Sequence, residues 1–242
     1  MEILHRAALL VRSGYRARDA VAHARSTEDP VEPTAGAVAQ SAASLAAALV
    51  AGEPANALSR MRATEMAIGF EQALEERVLP ALRLVGDGWQ DGSLSVAEEH
   101  TATGIVISWL GSVRSQTVPT GGPLSVLIAT PSGENHAVAV WALELLLERR
   151  GVAALALGSD VPHDSLAREL IRRRPRALVL SLARPNTLPY VRRALEAAQD
   201  AGVTVFAGGP GATRLPAGVT PLPPTLPAAA DHIRDALRAM AG

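Results

Sequence analysis

Apolar positions along this 242-residue chain change period once, and the change divides it. In the first half they recur every three or four residues, the spacing of one helix face. Residues 3–25 predict two short helices parted by Gly14, and Pro30 and Pro33 then break the pattern with a connector. Helices follow at 36–51, stopped by Gly52, at 55–68, at 70–88 and at 96–114. The third places Phe70, Leu74, Val78, Leu82 and Val85 on one face and should kink at Pro80. The fourth repeats Ile105, Trp109 and Val113 at spacing four. Four such helices with short loops predict a small bundle.

From Pro123 the apolar residues come in unbroken runs. Strands are predicted at 124–129, 152–157, 177–182 and 203–207, alternating with helices at 138–150, 165–174, 188–201 and 226–240. Strands that are apolar throughout are covered on both faces, which implies a parallel, doubly wound, Rossmann-like sheet. The expected organisation is therefore α plus α/β: residues 1–34 a helical segment and linker, 35–115 a four-helix bundle, 123–242 the sheet, with 116–123 between the last two.

Composition narrows the chemistry. There is no cysteine, which excludes disulfides, thiolate zinc sites, iron–sulfur clusters and thioether-linked chromophores. All 23 basic residues are arginine, so no lysine is present for a Schiff base or a Walker A loop. The formal net charge of −1 provides no field to draw a polyanion, and direct DNA binding by this chain is not expected. No apolar stretch reaches the roughly 18 to 20 residues that span a bilayer, and no leader-like segment opens the chain, so a cytoplasmic protein away from membranes is expected.

Doubly wound sheets bind ligands beyond the carboxyl ends of their strands. Three segments lie there: Thr130 to His136, Ser181 to Pro185, and Gly208 to Gly211. In the first, a neutral His136 imidazole is a transition-metal ligand, and Glu134 can accept the proton on its other nitrogen and set the tautomer. Taken alone, the triplet Glu134-Asn135-His136 reads as readily as a histidine capping a helix start. Trp89 alone reads as a bundle core residue and His100 as a polar helix-face residue. His5, His23, His163 and His232 lie in polar stretches and are expected to be solvated. The run Arg172-Arg173-Arg174-Pro175-Arg176 suits a helix C-terminus, with phosphate binding the weaker reading.

Residues 123–214 resemble the cobalamin-binding domain of methionine synthase, methylmalonyl-CoA mutase and the CarH-type photoreceptors. The motif Asp/Glu-x-His-x-x-Gly appears as Glu134-Asn135-His136-Ala137-Val138-Ala139, Ser-x-Leu as Ser181-Leu182-Ala183, and the glycine pair as Gly208-Gly209. Ala139 departs from the usual glycine, and Glu134 from the commoner aspartate. Upstream, Trp89 followed after nine residues by Glu99-His100 is similar to the Trp-x9-Glu-His motif of CarH-type light sensors. The resemblance implies His136 below cobalt, with Thr130, Glu134, Asn135, Ala139 and Leu182 among the cofactor-binding residues and the nucleotide tail running past Ser181, Gly208 and Gly209. Glycines at the last two positions would admit the tail closely. It also implies Trp89 packed on the upper adenosyl group and His100 ligating cobalt after light removes that group.

The function expected is thus adenosylcobalamin-based light sensing rather than enzymatic catalysis, acting through a homo-oligomer or a light-dependent protein partner. Some proteins resembling this module hold a noncovalent bilin such as biliverdin beside cobalamin. The alternatives are a corrinoid methyl carrier of a methyltransferase system and an interaction module with an empty sheet domain. Residues 1–25, with Leu9-Leu10-Val11-Arg12-Ser13-Gly14-Tyr15, resemble only the last helices of a MerR-type domain, so a stand-alone sensor or a fragment is expected.

Overall fold

The structure, a computed structural model, describes residues 35–118, 120–184 and 188–240, and the backbone alone over 35–41. The expectation for residues 1–34 lies outside the described residues. The chain divides into two compact units between Ala102 and Thr103.

The first unit is helical: α1 (Ala35–Val50), α2 (Pro54–Ile68), α3 (Phe70–Ala73), a π-helical turn (Leu74–Val78), α4 (Leu79–Asp91) and the start of α5 (Val96–Arg114). The break expected at Pro80 takes the form of that π turn, in which the Leu79 N–H reaches back five residues to the Leu74 carbonyl. Pro80 offers no N–H, and the ladder widens just ahead of it. Helix α1 packs against α2, the π turn and α4. Its Leu45 and Leu49 are buried, as are Met61, Phe70, Leu74, Val78 and Val85 of the elements that follow.

The α4–α5 corner is tightly specified. Gly92 ends α4 in the left-handed conformation with φ 82°. Ser95 and Glu98 then form a capping box: the Ser95 N–H donates to Glu98 Oε2 at 2.7 Å and the Glu98 N–H to Ser95 Oγ at 3.3 Å. The Ser95 N–H, together with the Ser95 hydroxyl that donates to the same Oε2 at 2.7 Å, holds the Glu98 carboxyl below its usual range.

The second unit contains the rest of α5 and a five-stranded, wholly parallel sheet of order β2-β1-β3-β4-β5. Its elements are β1 (Val126–Ala129), α6 (Val138–Arg149), β2 (Ala154–Ala156), α7 (His163–Arg173), β3 (Ala177–Ser181), α8 (Leu188–Asp200), β4 (Thr204–Gly208), β5 (Val219–Pro221) and α9 (Leu226–Ala239). All four residues of β1 are buried, as expected for a strand covered on both faces. One strand was not predicted from sequence. β5 has three residues and ends on Pro221, which an edge strand tolerates because one side of it needs no ladder donor. Glu144 of α6 lies fully buried beside β2, accepting the Ala156 N–H at 3.1 Å and the Arg114 guanidinium. Among the described residues no helix is long and apolar enough to cross a membrane.

Candidate functional site

The strand order reverses direction between β1 and β3, so the loops that follow these strands diverge and open a crevice at their carboxyl ends. Glu134 lies in the loop after β1 and is almost fully buried, with 1% of its surface exposed. One carboxylate oxygen, Oε1, stands 2.7 Å from His136 Nδ1. The other, Oε2, accepts the Ala183 N–H from the loop after β3 at 3.0 Å. A single buried carboxylate therefore ties the two loops together and holds the histidine ring. A proton on Nδ1 completes that contact, and the ring, with its side chain 51% exposed, offers Nε2 outward. This donor set fits a metal approached from solvent: a neutral imidazole of set tautomer, backed by a carboxylate that itself has a fixed donor.

The remaining sequence-predicted residues fall around this centre. Thr130 is fully buried and its hydroxyl donates to the Glu134 carbonyl at 2.9 Å, so it shapes the loop from within. Asn135 is exposed, Ala139 is half-buried at the start of α6, and Leu182 is buried. Ser181 is half-buried at the end of β3, and its hydroxyl has no partner among the described residues.

The glycine pair has a physical reason within the chain itself. A Cβ on Gly209, whose φ is +104°, would stand 2.4 Å from the Leu182 carbonyl oxygen, and one on Gly208 would stand 3.1 Å from the Leu222 side chain. Gly211 is constrained in the same way, its Cβ position lying 2.2 Å from the Arg184 carbonyl oxygen. These glycines let the loops after β3 and β4 interlock, through the Leu182 N–H to Gly208 and the Gly211 N–H to Leu182, both at 2.8 Å.

In the helical unit, Trp89 closes α4 and is 39% exposed. Glu99 and His100 lie in the first turn of α5, with His100 Nε2 3.6 Å from Glu99 Oε2 and the imidazole 71% exposed. The corner that carries all three is the one set by Gly92 and the Ser95–Glu98 box. Gly88 contributes as well, because a Cβ there would meet the Leu94 side chain at 2.9 Å.

Other expected residues also find partners. His163 opens α7 two residues earlier than predicted and pairs with Asp164 at 2.8 Å, so it is partnered rather than simply solvated. His232 is exposed, as expected, and sets its ring edge-on to Phe206, with centroids 6.0 Å apart. The arginine run stands at the end of α7 as expected: Arg172 and Arg173, in the last turn, both bond Glu169, and Arg176 donates to the Leu237 carbonyl. Two groups at the site were missed altogether, the Ala183 N–H and Asp160. Asp160 follows Gly158 at the carboxyl end of β2, where the rule that led to the other three loops applies equally.

A helical unit followed by a parallel sheet with a carboxylate-backed histidine at its switch point is the architecture of a corrinoid-binding protein. The solved structure of the Methanosarcina barkeri monomethylamine corrinoid protein shares the fold, with a TM-score of 0.64 over 81% of this chain and 97% of that chain at 14% identity. Residues 124–231 match the B12 binding domain family, and residues 42–113 match a second family of the same description. The chain thus carries two B12 binding domain matches, which together support a corrinoid as its ligand. It is similar to two Myxococcus xanthus proteins. The HTH-type transcriptional repressor CarH is 30% identical over 145 residues, which are 57% of this chain and 47% of that protein. The HTH-type transcriptional repressor CarA is 27% identical over 215 residues, 88% of this chain and 72% of that protein. The matched region thus spans about half of the first relative's length and under three quarters of the second's.

Proposed function

We propose that the chain is a light-sensing regulatory module for adenosylcobalamin, with residues 35–115 as the cap and 123–242 as the base. The observation that carries this reading is the corner bearing Trp89, Glu99 and His100, held rigid by Gly92 and the Ser95–Glu98 box. It stands on a helical unit that itself matches a B12 binding family. Similarity along most of the chain to two transcriptional repressors supports regulation over catalysis.

In this reading His136 binds below cobalt through Nε2, while Glu134 holds its Nδ1 proton. Ser181 presents its hydroxyl toward the nucleotide tail, beside Thr130, Leu182, Gly208 and Gly209. Trp89 covers the upper side and excludes water. Bound adenosylcobalamin supplies a visible chromophore and a cobalt–carbon bond that light breaks. His100 would be the residue to replace the lost adenosyl group, and because it sits on α5, its movement would alter the helical unit that a second copy or a protein partner would sense. Direct DNA contact by this chain is not part of this reading, and the module acts in the cytoplasm. A noncovalent bilin such as biliverdin is a further chromophore that a chain without cysteine can hold.

The test is an absorption spectrum of protein loaded with adenosylcobalamin, before and after green light. A spectral change that His100→Ala alters, while dark loading stays intact, is expected; an unchanged spectrum on illumination refutes the reading. The same fold also serves a corrinoid methyl carrier. Transfer of a methyl group from methylcobalamin on this protein to a thiol, in the presence of a methyltransferase, would favour that second function.

A further inference from the structure

The loop that carries Glu134 and His136 is held from the side by the loop after β2, and one residue makes most of the connections. Asp160 Oδ1 accepts the Gly133 N–H at 2.7 Å and the Ser132 hydroxyl at 3.1 Å. Its own N–H donates both to the Glu134 carbonyl at 2.9 Å and to Thr130 Oγ1 at 3.0 Å. Asp160 adopts a left-handed backbone, φ 54°, which lets its carboxylate and its N–H face the same loop. Around it the two loops pair almost as strands do, through the Thr130 N–H to Gly158, the Val161 N–H to Thr130 and a parallel bridge between Pro131 and Val161. Tyr190 of α8 braces the far side by donating to the Val161 carbonyl at 2.6 Å.

Glu134 cannot choose its own position. Its carboxylate must reach His136 and Ala183 together, and those targets lie on either side of the crevice. The direction in which it leaves the loop depends on the Ser132–Gly133 turn, where Gly133 has φ 81°. Without a partner at its tip, a turn of two exposed residues samples several conformations. Asp160 supplies that partner, with a charge-assisted bond to a backbone N–H.

We propose that Asp160 is a positioning residue for the cobalt-binding histidine, fixing the Ser132–Gly133 turn so that Glu134 can orient His136. The proposal rests on the reading of His136 as the lower ligand. The bonds of Asp160 run to the turn, to Thr130 and to the Glu134 backbone rather than to the ring. Asp160 acts through the Glu134 carboxylate that holds the ring; losing such a partner of a metal ligand alters metal affinity by about 10- to 100-fold, and a turn that releases the carboxylate carries the same loss.

The test compares the full chain with Asp160→Gly, which keeps the left-handed backbone accessible but deletes the carboxylate, and with Asp160→Asn, which keeps one acceptor oxygen. Two readouts are used. In the cofactor-free protein, the imidazole proton–nitrogen spectrum reports whether the His136 Nδ1 proton remains bound to Glu134. In the dark, titration with adenosylcobalamin reports affinity and the spectral signature of histidine ligation. Asp160→Gly should lose the protected Nδ1 signal and bind about 10- to 100-fold more weakly, and Asp160→Asn should restore most of both. If Asp160→Gly does not fold, Ser132→Ala removes one donor to the same carboxylate from an exposed side chain and should give a smaller loss in the same direction. A wild-type Nδ1 signal and wild-type affinity in Asp160→Gly overturn the proposal. Wild-type protein that shows the Nδ1 signal but takes up no cobalamin overturns the ligand reading instead, while the Nδ1 comparison still decides the role of Asp160.

Discussion

Replacing Gly209 by alanine separates two reasons for a glycine at that position. If it serves the nucleotide tail, the cost appears only when cobalamin is bound. If it serves the interlock of the two loops, the cost appears in the empty protein. The geometry favours the second. At φ +104° an L-residue is strained by about 1–3 kcal/mol. Its Cβ would also stand 2.4 Å from the Leu182 carbonyl oxygen, a backbone atom that cannot rotate away. Leu182 is held in place by its N–H to Gly208 and by the Gly211 N–H to its carbonyl, so making room breaks one of these bonds. Overpacking of this kind costs about 1–3 kcal/mol more. A loss of about 2–6 kcal/mol, or a drop in melting temperature of about 4–24 °C, follows for cobalamin-free protein. The assay is thermal and urea unfolding by circular dichroism without cofactor. Gly218→Ala is the control, because Gly218 has φ +92° but its Cβ would approach nothing nearer than 3.6 Å, leaving the strain alone. Unchanged stability of empty Gly209→Ala protein, together with weakened cobalamin binding, would refute the interlock and return the glycine to the ligand.

Three further outcomes follow from buried or paired groups. Glu144→Ala leaves the Ala156 N–H without its acceptor and releases the half-exposed Arg114 to water, so the urea midpoint should fall by the equivalent of about 2–3 kcal/mol, with Glu144→Gln losing less. Tyr190→Phe removes the bond to the Val161 carbonyl and should cost about 1 kcal/mol in the same measurement. The hydrogen bond from the Arg150 guanidinium holds the Asp231 carboxyl below its ordinary value of 3.8. A depressed carboxylate stabilises fully above the unfolded value and loses that contribution as pH falls through the folded one. Unfolding midpoints of wild type and Asp231→Asn should therefore differ at neutral pH and converge in acid.

How far the sequence led depended on whether a feature was local. The strands of the parallel sheet were legible because burial on both faces leaves no polar position to interrupt the run, as in Val126 to Ala129. β5 was not, since three residues ending on proline carry no period. The contact between Glu134 and His136 was legible because they are two positions apart and their chemistry is complementary. Its other half was silent: Glu134 also accepts a backbone N–H, and every residue but proline offers one, so nothing in the identity of Ala183 marks it as a partner. Asp160 carried a side-chain signal, but its partners Ser132 and Gly133 lie 28 and 27 positions away and meet it only because β2 lies beside β1. The order β2-β1-β3 thus explains the whole arrangement. It sets the β1 loop between two neighbours, one supplying Asp160 to shape the turn and the other supplying the Ala183 N–H to hold the carboxylate. A histidine oriented from both sides in this way needs no further support from its own helix, which is consistent with α6 beginning only two residues later, at Val138, without a side-chain cap.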